Sequence, residues 1–165
     1  MDDFSKISLK LLYIALADEL LAWYQYWTCF NSSMGKGRSD ANPEFDQHAK
    51  EEMEHANLII ERIKQLGGVP FNNPCDWEKN GNPWEPVETR DVTEQLKLTI
   101  NAESTAIKFY KNAILAVKNI DSTTHRLFRK LLADEQEHLY DLQQLLIEQD
   151  DEDQAPEPPV VVVEE

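Results

Sequence analysis

Two short segments of the chain place a histidine three residues after a glutamate. The sequence EEMEH puts Glu52 before His55, and the sequence DEQEH puts Glu135 before His138. Side chains three residues apart lie on one face of an α-helix, so each pair can hold a metal ion from one side. One such pair is common by chance in a chain with 31 acidic residues, whereas two pairs at corresponding positions indicate a metal site.

Both pairs fall on the apolar stripe of a predicted helix. Steps of three and four residues along the last helix pass through these positions: Phe128, Leu131, Glu135, His138, Leu142 and Leu145. The same steps place Glu52 and His55 among apolar positions of the second helix, and a single glutamate near the middle of the other two stripes. A carboxylate in a bundle core costs on the order of several kcal/mol, so four of them require compensating positive charge. A pair of divalent metal ions would supply it.

The sequence therefore predicts six inward-facing ligands of a two-metal site: Glu19, Glu52, His55, Glu103, Glu135 and His138. The single glutamate precedes the paired one by 33 residues in the first half of the chain and by 32 in the second. A tyrosine follows each single glutamate by seven residues, at Tyr26 and Tyr110. These matched spacings predict a pseudo-twofold site in which the two tyrosines orient carboxylates through hydrogen bonds.

The ligand types restrict the metal. Four carboxylates and two imidazoles without a thiolate suit iron or manganese, and zinc can occupy such a site without redox chemistry. We expect two iron ions per chain, because two Fe(II) ions can give up two electrons. The expected reactants are therefore Fe(II) and either O₂ or H₂O₂.

Four stretches with helical periodicity must position these side chains. They are predicted at about 5–33, 40–66, 90–118 and 121–150, and the second is expected to start near Asn42-Pro43-Glu44, with the proline in its first turn. A long segment rich in Pro, Asn and Gly separates the second helix from the third. The short, long and short connections predict an all-α fold, a four-helix bundle with one long crossover between helices two and three.

Composition and charge define the class of protein. The 16 basic and 31 acidic residues give a net charge of −15, which repels nucleic acid and anionic lipid. No apolar run approaches the roughly 20 residues of a membrane helix, and the start MDDFSKISL lacks the order of a signal peptide. We expect a cytoplasmic protein with no nucleic-acid or membrane partner. Residues 1–149 are predicted to form the helical domain, and residues 150–165, acidic and rich in proline, a mobile tail.

The segment EEMEHANLIIERIKQLGGVP resembles the second helix of bacterioferritins, and residues 5–148 as a whole resemble the ferritin superfamily. The resemblance implies a ferritin-like bundle with ferroxidase activity at the six ligands, storage of ferric mineral in a hollow shell, and protection against oxidative stress. In bacterioferritins a methionine between the glutamate and histidine of helix two binds haem. Here that position is Met53, for which packing at an interface is the favoured interpretation and haem binding the alternative.

Two departures from bacterioferritins resemble Dps-like thioferritins. The chain ends in an acidic tail where bacterioferritins have a fifth helix, and its crossover is longer by the segment NNPCDWEKNGNPWEPV. Thioferritins combine a bacterioferritin-type site with a shell of twelve subunits, so the resemblance implies a dodecameric homo-oligomer, with 24 subunits as the alternative. They also carry a cysteine pair near the site, for which Cys29 and Cys75 are candidates. Cys29 is otherwise interpreted as a small core residue and Cys75 as an exposed thiol.

Two alternative functions remain open. One is a di-iron or di-manganese peroxidase or catalase of the same fold that does not store iron. The other is a non-catalytic bundle that holds a metal structurally or compacts DNA, although DNA binding predicts a basic tail and this tail is acidic.

Residues around the predicted ligands have simpler interpretations. The aromatic run WYQYW at 23–27 is assigned to dimer packing, with the capture of oxidising equivalents as the alternative. Glu51 and Glu54 are assigned to a solvated face along which metal ions can pass, and His48 and His125 to solvent. Asp134 is predicted to hydrogen-bond to a ligand histidine of another helix.

Overall fold

The computed structural model describes residues 3–154, which form four long helices and one short helix. They are α1 (Asp3–Ser32), α2 (Arg38–Gln65), α3 (Trp77–Asn80), α4 (Val92–Val117) and α5 (Ser122–Gln154). Helix α1 packs mainly against α2, and α4 mainly against α5. The predicted all-α bundle with one long crossover is confirmed, and the crossover contains a 3₁₀ turn (Pro74–Asp76) followed by α3.

Helix α2 starts earlier than predicted. It begins at Arg38 after Gly37, whose φ of 75° lies in the left-handed region that glycine adopts without steric cost. The carbonyl of Gly37 accepts a hydrogen bond of 3.0 Å from the backbone N–H of Ala41. Pro43 therefore lies inside the helix rather than in its first turn, at a position where it cannot donate to the carbonyl of Ser39.

Helix α5 ends later than predicted, because its backbone remains helical to Gln154. The remainder of the predicted mobile tail, residues 155–165, lies outside the described residues. Within residues 3–154, no helix has a stretch long and apolar enough to cross a membrane.

The crossover is held against α1 by polar contacts near the middle of that helix. Both carboxylate oxygens of Asp18 accept hydrogen bonds from Asn82, at 2.7 Å from its backbone N–H and 2.5 Å from its side-chain amide. The Gln25 amide, buried two turns further along α1, donates to the carbonyl of Glu85 at 2.9 Å. These bonds place residues 82–85 over the groove between α1 and α4.

The bundle interior consists of two apolar clusters. One contains the large side chains Leu12, Leu16, Ile59, Tyr110, Phe128 and Leu131. The other contains Tyr26, Cys29, Phe45, Leu96 and Leu142. On every long helix, a buried glutamate, or a glutamate and a histidine, lies in the chain between the residues of one cluster and those of the other. Along the helices, the polar layer thus has hydrophobic packing on both sides.

Candidate metal centre

The structure brings the six predicted ligands together in this polar layer. Each has at most 3% of its surface exposed: Glu19, Glu52, His55, Glu103, Glu135 and His138. The helical period aims them inward, since each lies on the same stripe as the apolar residues of its helix. Four carboxylates and two imidazoles therefore share one enclosed volume.

Each histidine turns its Nδ1 atom toward the carboxylates. His55 Nδ1 lies 3.2 Å from Oε2 of Glu19, 3.2 Å from Oε2 of Glu52 and 3.3 Å from Oε1 of Glu135. His138 Nδ1 lies 3.2 Å from Oε1 of Glu52, 3.3 Å from Oε2 of Glu135 and 3.7 Å from Oε1 of Glu103.

These distances define two groups of four residues, each compact enough to hold one metal ion. One group combines Glu19 and His55 with Glu52 and Glu135, and the other combines Glu103 and His138 with the same two glutamates. Glu52 and Glu135 present one oxygen to each group. The paired glutamates therefore occupy the bridging positions, and each single glutamate belongs to one group only.

Three polar atoms of this layer are buried without a hydrogen-bond partner: Oε1 of Glu52, Oε1 of Glu135 and Nδ1 of His138. A buried polar atom without a partner costs free energy, so native structures rarely leave several together. All three belong to residues of the two four-residue groups, and carboxylate oxygens and imidazole nitrogens are suited to a first-row divalent cation. The residues present thus fit a pair of metal ions.

The ionisation of the cluster in the absence of metal follows from burial and from the close approach of its charges. Burial raises the pKa of Glu19 and Glu103 well above the usual glutamate value, and the charges of Glu135 and Glu52 add to this effect. Burial opposes ionisation of Glu52 as well, but its close contacts with His138 and His55 outweigh burial and lower the pKa of Glu52.

The pKa of each of the two histidines is raised, whereas the pKa of an isolated buried imidazole is lowered. Burial lowers the pKa of His55 and His138, but their contacts with the surrounding carboxylates outweigh burial and raise the pKa of both. Without metal, protons on these groups compensate the negative charge. Metal ions would replace those protons, so metal binding and proton release are coupled.

Each single glutamate is held by a tyrosine from the opposite helix. Tyr26 on α1 donates a hydrogen bond to Glu103 on α4, and Tyr110 on α4 donates one to Glu19 on α1. Both tyrosines are 1% exposed. The hydrogen bonds that the sequence predicted for this pair are therefore present, and both join α1 to α4.

Acidic residues on the outer side of the histidines complete the layer. His55 Nε2 lies 3.2 Å from Oδ2 of Asp134, the predicted contact between helices, and His138 Nε2 lies 2.8 Å from Oε2 of Glu51. Each acid immediately precedes the glutamate of the opposite pair in sequence. Glu51 was assigned to a solvated face, and only the pseudo-twofold relation to Asp134 would have indicated its contact with a histidine.

The assignment of His48 to solvent is wrong. Its side chain is fully buried, and its ring stacks on that of His138 with 4.1 Å between centroids. Burial, with a contribution from the charge of His138, lowers the pKa of His48 to about 3, so its imidazole is neutral at physiological pH.

Two openings lead to the layer from opposite sides. A cavity of about 230 Å³ lies between α1 and α4 beneath residues 82–85 and is lined by Glu19 and Glu103, among others. A second opening of about 540 Å³ lies between α2 and α5 and reaches His55 and His138 past an acidic rim: Glu51, Glu54, Asp134, Glu137 and Asp141.

The remaining candidates lie away from the layer or at its edge. Cys29 is buried in an apolar cluster, whereas Cys75 is exposed on the 3₁₀ turn, and both thiols are free. Met53 is half-buried on α2. In the run WYQYW, Tyr26 enters the core, whereas Tyr24 and Trp27 stack on each other with 44% and 48% of their surface exposed.

Comparison with known proteins agrees with this arrangement. The chain matches the family described as Ferritin-like domain over residues 9–149. The bacterioferritin of Desulfovibrio desulfuricans is 34% identical over 133 residues, which cover 79% of this chain and 69% of that protein. The dodecameric thioferritin of Bacteroides fragilis, described as bacterioferritin-related, has a TM-score of 0.86 at 33% identity and covers 94% of each chain.

A second bacterioferritin has been solved with a metal-free dinuclear site and a haem iron. This protein, from Rhodobacter capsulatus, has a TM-score of 0.77 at 28% identity, covering 92% of this chain and 89% of that chain. The resemblance predicted from the ligand motifs is confirmed: the chain belongs to the ferritin superfamily and combines bacterioferritin-like with Dps-like, thioferritin-type features.

Proposed function

We propose that this protein is a ferroxidase that oxidises Fe(II) at the six-residue centre and stores the ferric product. The observation that carries the proposal is the sharing of Glu52 and Glu135 between two four-residue groups, because it provides two adjacent positions for Fe(II). Two Fe(II) ions give up one electron each, and one H₂O₂ with two protons accepts both electrons and becomes two water molecules. With O₂ as the oxidant, the same two electrons reduce it to peroxide.

The side chains of the chain itself bind, orient and transfer protons. The bridging glutamates hold the two substrate ions close together, and the tyrosines keep the single carboxylates in place. The acids behind the histidines bind Nε2–H and leave Nδ1 unprotonated as the ligand atom. Protons displaced from the cluster by Fe(II) are available to the reduced oxidant.

The first test is the double substitution Glu52→Ala with His55→Ala. It removes one bridging carboxylate and one imidazole, and we expect it to abolish rapid Fe(II) oxidation while far-UV circular dichroism remains that of a helical bundle. The matched control is Glu61→Ala with His125→Ala, an exposed glutamate of α2 and a histidine outside the six-residue centre. Unchanged oxidation in the first double variant would refute the proposal.

Storage is the second part of the proposed function. The thioferritin of Bacteroides fragilis is dodecameric, which supports a shell of twelve subunits here, and a 24-subunit shell is the alternative. Light scattering of the purified protein measures this directly. We expect a large shell that retains far more than two iron ions per chain after oxidation, in keeping with a role in protection against oxidative stress.

A di-metal peroxidase that does not store iron is the alternative function. The cavity of about 230 Å³ beside Glu19 and Glu103 favours it, because a small substrate can reach the carboxylates there. This enzyme would hold two metal ions per chain at the six-residue centre, would store no mineral and would remain a small oligomer, so the same two measurements distinguish it from a storage protein.

Haem at Met53 is a separate prediction from the resemblance to bacterioferritins. We expect no haem absorption band from the purified protein if Met53 only packs at an interface. A stoichiometric band that disappears in Met53→Leu would assign haem to this residue.

A further inference from the structure

His48 is a buried residue that the proposed ferroxidase centre does not use. Its side chain is 0% exposed, and neither ring nitrogen has a hydrogen-bond partner. A neutral imidazole has one N–H donor and one acceptor, and burial of both without partners is unfavourable. Its ring stacks on His138 at 4.1 Å and an interplanar angle of 24°. The position next to a predicted ligand calls for a partner that the chain alone does not supply.

Two carboxylates face His48 at a distance too long for hydrogen bonds. His48 Nε2 lies 3.7 Å from Oε2 of Glu44, one turn earlier on α2, and 4.0 Å from Oδ2 of Asp141 on α5. Ligand atoms lie about 2.0–2.2 Å from a first-row divalent ion, which places them about 3–4 Å from one another. The separations from His48 to the two carboxylates thus match an intervening cation better than direct contacts.

We propose that Glu44, His48 and Asp141 form a third cation site beside the two-metal centre. The three residues are compact enough to hold one ion. Two carboxylates and one imidazole suit a divalent first-row cation such as Fe(II), Mn(II), Co(II) or Zn(II), with water in the remaining positions. Glu51 is not assigned to this site, because it already contacts His138 Nε2 at 2.8 Å.

The site combines an enclosed nitrogen with accessible oxygens. The side chains of Glu44 and Asp141 are 32% and 36% exposed, so a cation from solvent can reach them before it contacts the buried imidazole. Asp141 also lines the acidic opening that reaches His55 and His138. An ion bound here therefore lies on the solvent side of His138, next to the two-metal centre.

Anaerobic titration of the full-length protein with Co(II), read as bound metal after equilibrium dialysis and as visible absorption, tests the proposal. We expect three Co(II) per chain in the wild type and two in His48→Phe, which keeps an aromatic ring against His138 but lacks a donor atom. His125→Phe is the matched control and retains three. Because substitution of a buried residue can disturb folding, Glu44→Gln and Asp141→Asn serve as second variants. Each is expected to weaken the third Co(II) by about tenfold or more.

The third site does not depend on iron oxidation, and one variant separates the two proposals. Glu52→Ala with His55→Ala is expected to lose Co(II) from the two-metal centre and retain one Co(II) that His48→Phe then removes. A wild type that binds only two Co(II), or a third Co(II) that persists in His48→Phe, overturns the proposal. Persistence would mean that the exposed acids bind Co(II) without the imidazole.

Discussion

Tyr26 on α1 donates a hydrogen bond to Glu103 on α4, a helix that contacts α1. Tyr110 on α4 donates an equivalent hydrogen bond to Glu19 on α1. Glu19 and Glu103 each belong to one metal group only, and we call them the terminal glutamates. Each is oriented by a tyrosine on the helix that carries the other terminal glutamate. Because each of these hydrogen bonds joins the two halves of the chain, the geometry of each four-residue group depends on side chains from both halves.

Removal of one of these hydroxyl groups should impair the centre without emptying it. We expect Tyr26→Phe or Tyr110→Phe to lower the Fe(II) oxidation rate or the Co(II) affinity by about 10- to 100-fold, the usual effect of losing a hydrogen bond to a metal ligand. The ring volume is retained, so the bundle remains folded. Tyr140→Phe is the control, because Tyr140 is 60% exposed on α5. Equal rates in the variants and the control would contradict an orienting role.

Bridging and terminal glutamates should differ in the number of ions that they affect. Glu52 presents one oxygen to each histidine, whereas Glu19 contacts only one of the two histidines, His55. We therefore expect Glu52→Ala to weaken both Co(II) ions of the centre and Glu19→Ala to weaken one. Stoichiometry by equilibrium dialysis distinguishes these results. Loss of the same number of ions in both variants would mean that Glu52 does not bridge.

The six candidate ligands could be predicted because their signal is local and periodic. A glutamate that lies on an apolar stripe, at steps of three and four residues, must face the same way as its apolar neighbours. The near-equal spacings relate the ligands of the two halves of the chain. The contact of Asp134 with His55 could also be predicted, since the acid lies next to a ligand on the adjacent helix. These features need only helical geometry.

The features that escaped prediction depend on packing between elements. The burial of His48 depends on its stacking against His138 from α5, which no spacing along α2 reveals. The start of α2 depends on the left-handed conformation of Gly37, which begins the helix before Pro43 although this proline cannot donate to the carbonyl of Ser39. The conformation of the crossover depends on Asp18, which accepts a hydrogen bond from Asn82, 64 residues further along the chain.

The metal-free protein should lose stability as the pH rises above neutrality. The pKa of Glu19 and Glu103 is raised above the value of 4.5, and that of His55 and His138 above 6.5. The native state therefore holds more protons than the unfolded state at pH 7 and above, so the free energy of unfolding falls with pH. The lowered pKa of His48 makes the free energy of unfolding rise with pH, but only below about pH 6.5, where the unfolded chain holds the additional proton.

Thermal unfolding of chelator-treated protein between about pH 7 and pH 9, at constant ionic strength, measures this dependence. We expect the Tm to fall across the range, and to fall less in Glu19→Gln, whose side chain does not titrate. Added Zn(II), which is redox-inactive, should raise the Tm by an amount that grows with pH, because deprotonated ligands bind it more tightly. A metal-free Tm that rises with pH would contradict this account of the cluster.

The two cysteines should differ in reactivity. Burial raises the pKa of Cys29 to about 12, so its thiolate is scarce at neutral pH, whereas Cys75 is exposed. We expect one thiol per native chain to react rapidly with a chromogenic disulfide and two to react in denaturant. Loss of both thiols after peroxide treatment, with a disulfide between them found by mass spectrometry, would instead support the cysteine pair implied by thioferritins.

The cavity between α1 and α4 offers the oxidant a route to Glu19 and Glu103. Ala106 lines it, so Ala106→Leu should fill part of its volume of about 230 Å³ and slow Fe(II) oxidation. Binding of Co(II) should persist, because the opening between α2 and α5 still leads to the histidines. The control is Ala116→Leu, an exposed position on the same helix. Equal oxidation rates in both variants, with O₂ and with H₂O₂, would show that the oxidant arrives from the histidine side.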